Sequence, residues 1–167
     1  MGFALARGII MIKLDRIDRY ILAELQKDGR IANNILAQKV GLSPSPCLRR
    51  VKMLENCGAI SRYAAVINPI ALGLELTVYV RVWLTYKNEE TINYFTKEVS
   101  SLLEIIECHF MIGECDFLLK VLISDLSEYC NFELNTLARI GCVKKIQSEI
   151  PMKTIKPATG IPISHKF

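Results

Sequence analysis

"GLSPSPCLRRVKMLENCGAI", residues 41–60, sets two Ser-Pro pairs directly ahead of a run with helical spacing. Ser43 reads as an N-cap, its side chain accepting from a backbone N–H two or three residues on. Pro44 falls at the first helical position and Pro46 still lies in the first turn, where a missing N–H costs nothing. A helix therefore starts sharply here. Leu48, Val51 and Met53/Leu54 give its predicted inward face, Arg49, Arg50 and Lys52 supply charge, and Gly58 ends it.

Upstream, "LDRIDRYILAELQKDGR" (14–30) repeats apolar residues at Leu14, Ile17, Tyr20/Ile21, Leu22 and Leu25, a helical rhythm. Asp15 or Asp18 suits its N-terminus and Gly29 stops it. A second short helix is predicted from about Asn34 to Val40, with Asn33 as N-cap and Ile35, Leu36 and Val40 inward. Gly41 supplies the positive φ of a tight turn between helices. Three helices with a glycine turn before the third make a helix-turn-helix, whose third helix enters the major groove N-terminal end first. Ser43, Ser45, Arg49, Arg50 and Lys52 are then the candidate contacts to base edges and phosphates, with free N–H groups at the helix start as a phosphate site. "AISRYAAVIN" (59–68) alternates weakly and is expected to form a short wing that brings Arg62 near the DNA backbone.

Charge supports this placement. The 167-residue chain carries +4 overall, but residues 30–62 hold six basic side chains against one acid, whereas residues 63–167 hold ten against twelve. A compact basic unit joined to a slightly acidic one fits a nucleic-acid binder with a separate sensor or partner domain. The six cysteines (47, 57, 108, 115, 130, 142) form no CxxC pair and have only His109 and His165 near them in type, so buried free thiols are expected rather than zinc. Residues 1–13 read as an extension interrupted by Arg7, with Met11 a second candidate start. No run approaches the ~18 apolar residues of a membrane helix, and a cytoplasmic protein is expected.

The second half alternates strands and helices. "ELTVYVRVWLT" (75–85) is a β-branched strand with Tyr79, Arg81 and Trp83 on one side and Val78, Val80, Val82 and Leu84 on the other. "EETINYFTKEVSSL" (89–102) is helical. "EIIECHFMIG" and "DFLLKVLI" are strands joined at Gly113–Asp116. "DLSEYCNFELNTLARIG" is a second helix, capped near Asp125 or Ser127, and "VKKIQSEIPM" a last strand. The order β-α-β-β-α-β predicts an antiparallel sheet with both helices on one face, a ferredoxin-like sandwich. Its other face, expected to be apolar, needs a partner, and sheet-to-sheet dimerisation is predicted. The expected class is α+β: residues 14–62 a winged helix-turn-helix, 63–74 a linker, 75–153 the sandwich and 154–167 a tail.

"LDRIDRYILAELQKDGRIANNILAQKVGLSPSPCLRRVKMLENCGAI" and "ECHFMIGECDFLLKV" resemble the Lrp/AsnC (feast/famine) regulators, nearest the leucine-responsive branch, over about residues 13–163. The resemblance implies a transcription regulator with a RAM (ACT-like) effector domain. It implies an amino acid effector such as leucine or methionine, no other cofactor, and a homodimer that assembles into octamers on double-stranded DNA. By the same resemblance the effector lies near the turn Gly113, Glu114, Cys115 and Asp116. Gly113 would allow close backbone approach and Asp116 would accept from the ligand ammonium. The tail "IKPATGIPI" would pack near the sensor or the dimer interface. The chain departs from the family pattern at Ala32 and Ile35, often Ser and Glu, and at Arg49, often acidic. It departs again at Glu114 and Cys115, which alter pocket size. Siroheme decarboxylases share the architecture, but His109 stands alone as an acid/base candidate, so no enzymatic activity is expected.

Overall fold

The computed structural model describes residues 13–157 and 160–163; the N-terminal extension, Met11 and His165 lie outside them. Contacts divide the chain into one unit of residues 1–66 with 158–167 and a second of residues 67–157.

The first unit is built on three helices, α1 (Arg16–Lys27), α2 (Asn33–Lys39) and α3 (Pro44–Asn56). Asp15 caps α1 in a reciprocal box with Asp18: each carboxylate accepts the other's backbone N–H, at 2.8 and 3.1 Å. The predicted cap of α2 is corrected. Ala32 is its N-cap, without a side-chain bond, and Asn33 is the first helical residue. The Asn33 amide instead donates to the Pro44 carbonyl at 2.8 Å, tying α2 to the start of α3. Gly41 has φ 71° and the Leu42 N–H closes the turn on Ala37 O at 2.9 Å, so the turn is closed at its glycine as predicted. Ile21, Leu36, Ala37, Cys47, Val51 and Leu54 form the core.

Three residues expected inside are half out: Ile35, Leu48 and Met53 are 47, 44 and 40% exposed. The buried set on α3 is Cys47-Val51-Leu54, with Cys47 in the place expected for Leu48. Both spacings are helical, and cysteine, a small and readily buried residue, takes the tight contact. The expected wing is also absent: residues 61–68 form no strand. After α3, Gly58 (φ 76°) and the Ile60 N–H to Leu54 O bond end the helix, and Tyr63 OH donates to Glu55 at 2.9 Å.

The second unit has strands β1 (Leu76–Leu84), β2 (Ile105–Phe110), β3 (Phe117–Ile123) and β4 (Val143–Glu149), with helices α4 (Glu89–Ser100) and α5 (Leu126–Asn135). The sheet order is β2-β3-β1-β4, all antiparallel, as the ferredoxin-like prediction requires. Asn88 caps α4 and Asp125 caps α5. Val78, Val80, Val82 and Leu84 of β1 and Phe117, Leu119, Val121 and Ile123 of β3 pack with Phe95, Val99, Tyr129 and Phe132, so both helices cover one sheet face. The outer face is less apolar than expected. Tyr79, Trp83, Leu118 and Leu122 share it with paired charges, Lys120–Glu107 at 2.9 Å and Arg81–Glu149 at 3.1 Å. Lys145, opposite Trp83 on β4, sits 4.4 Å over its ring.

All six cysteines are free. Cys47, Cys115 and Cys142 are buried, but Cys108 and Cys130 are exposed, against expectation. Among the described residues no cluster fits a metal ion and no helix is long and apolar enough to cross a membrane.

Candidate nucleic-acid interface and effector pocket

Burial of Cys47, Val51 and Leu54 turns the opposite side of α3 to solvent. Ser45, Leu48, Arg49, Lys52, Met53, Asn56 and Cys57 line one open depression along it. Arg49 and Lys52 are exposed, and among the described residues neither is paired with a carboxylate. The strip thus keeps Ser45, Arg49 and Lys52 of the sequence-predicted set and adds Leu48, Met53 and Asn56, which the helical phase had concealed.

Arg50 does not belong to that strip. Its guanidinium donates to Asp15 Oδ2 and Asp18 Oδ1, both at 2.7 Å, and Asp18 is only 4% exposed. The capping carboxylates of α1 thereby clamp α3. The Asp18 N–H, with the Arg50 guanidinium adding to it, holds the Asp15 carboxyl below its ordinary value against an opposing push from burial. The arginine predicted to touch DNA is a structural residue, taken up by two acids on another helix.

Ser43 is the N-cap of α3, yet its side chain makes no cap hydrogen bond. Pro46 occupies the N3 position and has no N–H to give. Of the first three helical residues only Ser45 carries a backbone N–H, so the predicted phosphate site of free N–H groups is reduced to one donor. The Ser43 hydroxyl stays exposed at the helix start. Arg62 is exposed on the coil after α3 rather than on a wing.

The tail, expected beside the sensor or dimer interface, instead joins the first unit. Gln26 on α1 holds Ile161 by both ends of its amide: Nε2 donates to Ile161 O at 2.9 Å and Oε1 accepts the Ile161 N–H at 3.1 Å. A Cβ at Gly160 would overlap the Gln26 side chain. Ile161, Pro162 and Ile163 line a groove of about 410 Å³ with Leu14, Leu22, Leu25 and Ile60.

In the second unit the turn after β2 is held from several sides. Gly113 has φ 155°, a conformation costly for any residue with a Cβ. Trp83 Nε1 donates to Glu114 O at 2.6 Å, and Cys115 is buried. Asp116 is not a free acceptor. Its Oδ2 takes the Leu84 N–H at 2.9 Å and its Oδ1 lies 2.9 Å from Lys87 Nζ. Burial alone pushes its carboxyl up, but the Leu84 N–H and the Lys87 ammonium outweigh that and hold it below the ordinary aspartate value. Asp116, expected to meet a ligand ammonium, is engaged within the fold, where its carboxylate braces the turn against β1. Glu114, 79% exposed in its side chain, is the freer acid. A cavity of about 440 Å³ opens beside it, lined by Tyr79, Arg81, Met111, Glu114, Cys115, Leu118 and Glu149. His109 is exposed, 3.4 Å from Glu107, which also pairs with Lys120.

Residues 14–61 match the winged helix-turn-helix DNA-binding family, and residues 77–161 match the Lrp/AsnC ligand binding domain. The chain is 43% identical over 150 residues to the leucine-responsive regulatory proteins of Escherichia coli and Salmonella typhimurium, covering 90% of this chain and 92% of each relative. Among solved structures, a transcriptional regulator of Neisseria meningitidis in complex with L-Met superposes with TM-score 0.88 at 37% identity, over 92% of this chain and 99% of that one. An AsnC family regulator of Agrobacterium tumefaciens gives 0.85 at 34%, over 92% and 100%. These are regulators rather than enzymes. Helix-turn-helix, effector domain and sequence agree along nearly the whole length: the chain belongs to the Lrp/AsnC family of DNA-binding transcriptional regulators.

Proposed function

We propose that this regulator reads a pseudo-palindromic operator through Ser43, Ser45, Arg49, Lys52 and Arg62, and that a small apolar amino acid, leucine or methionine, modulates it from the cavity beside Glu114 and Cys115. The observation that carries the effector reading is the cavity's mixed lining. Arg81, paired with Glu149 at 3.1 Å and 3.8 Å from Glu114, would exchange these partners for a ligand carboxylate, the two glutamates would then take its ammonium, and Met111 and Leu118 suit an apolar side chain. L-Met in the Neisseria relative supports the same class. The protein works in the cytoplasm as a homodimer joined through the outer sheet faces and assembling further, to octamers. Two recognition helices about 34 Å apart then meet successive major-groove turns. The amino acid acts by binding one assembly or DNA-binding geometry more tightly than another.

The test is binding of the full chain to its own upstream region and to random duplex at fixed salt, with each of the twenty amino acids. Tight specific binding changed by leucine or methionine, and lost in response when Arg81 is replaced by Ala, supports the reading. Equal weak binding to both duplexes, unmoved by any amino acid, overturns it in favour of an architectural DNA-coating role.

A further inference from the structure

Leu48 and Met53 are the two large apolar side chains that α3 leaves half out, and Leu48 lies nearer the start of the helix. It is 44% exposed although Cys47, its neighbour, is wholly buried. It stands in one strip with Ser45, Arg49 and Lys52. An apolar side chain held between unpaired cations does not serve solubility, and no segment among the described residues covers it. The occupant of this strip is set by charge: Arg49 and Lys52 call for a polyanion, and a helix-turn-helix offers this face of its third helix to the major groove. There, the one apolar group on the base edges is the C5-methyl of thymine.

We propose that Leu48 is a specificity-determining residue that packs on a thymine methyl, with Arg49 beside it hydrogen-bonding a guanine within about one base pair. The proposal rests on the operator-binding reading above and names what that reading leaves open, the bases recognised. The geometry sets the span. Ser45 to Lys52 rises about 10 Å along α3, some three base-pair steps, and Leu48 lies over the middle of it. Met53 and Asn56, further toward the C-terminus, fall outside that span.

The experiment selects duplexes from a random pool with the full-length protein, then replaces each thymine of the selected site by uracil, which removes only the methyl. One thymine per half-site is expected to lose about three- to fivefold in affinity, the effect of one buried methyl. Leu48→Ala should show no loss at that same thymine, and selection with it should return a flattened preference at that column alone. Arg49→Ala should flatten the neighbouring guanine column. Lys52→Ala should weaken all sequences alike and shallow the salt dependence by about one unit. Leu48 is exposed, so an unchanged melting temperature certifies the Leu48→Ala fold. A consensus in which uracil costs the same in both proteins, or costs nothing anywhere, overturns the role of Leu48 while leaving the regulator reading intact. A pool that yields no consensus overturns both.

Discussion

Arg49 and Arg50 are adjacent, identical in type and opposite in role. One helical step of 100° sends Arg49 to solvent and Arg50 to Asp15 and Asp18. Arg50→Ala leaves the 4% exposed Asp18 without its cationic partner, with only the Asp15 N–H still donating to it. It should destabilise the first unit by about 1.5–3 kcal/mol in urea unfolding, the range for hydrogen bonds to charged groups. Arg49→Ala should leave stability within about 0.5 kcal/mol and weaken operator binding instead. Asp116 gives the pH-dependent counterpart. Its carboxyl titrates lower folded than unfolded, so its contribution is full above the unfolded value near 3.9 and fades as pH falls through the folded one. A carbon-13 titration should place its midpoint below that of a peptide aspartate, and Asp116→Asn should flatten the acid limb of the stability curve. An Asp116 midpoint at or above the peptide value would contradict the brace.

At the scale of elements, the turn between α2 and α3 fixes the angle at which the recognition helix is presented. Gly41 has φ 71° and open space around its missing Cβ, so steric contact is not at issue and only backbone strain is. Gly41→Ala should cost about 1–2 kcal/mol by thermal or urea unfolding, the penalty of the left-handed region for an L-residue. A neutral result would show that the turn relaxes freely. The start of α3 follows a different logic from most caps. Two prolines enforce the helix start by geometry, so the Ser43 hydroxyl is released from capping and remains exposed at the start of the helix. Sequence pattern placed both ends of this helix, yet its buried phase was ambiguous between Cys47 and Leu48 because both sets repeat every three or four residues.

Across the whole molecule the chain enters the first unit twice, once at each end. Gln26→Ala should remove both hydrogen bonds to Ile161 and raise hydrogen exchange at the Ile161 amide at least tenfold, with little change in the exchange of α1. Unchanged protection would mean that the apolar groove alone holds the tail. Assembly is the second property at this scale. Leu118 lies on the outer sheet face opposite Arg81, and Leu118→Asp should convert the proposed dimer to monomers in sedimentation experiments without unfolding the sandwich. Persistence of the dimer would place the interface elsewhere.

The sequence by itself determined the three-helix unit, the strand and helix order of the sandwich, the alternation that buries one face of β1, and the family. All of these follow from local periodicity, caps and motif spacing. Tertiary structure alone decided which of two adjacent arginines is structural, that Asp116 is consumed by Leu84 and Lys87, and that Gln26 holds Ile161 from the other end of the chain. Partners 32, 35 or 135 residues apart leave no periodic trace in the sequence. A side chain's charge is legible from its letter, but whether that charge is spent within the fold depends on what the fold brings within 3 Å of it.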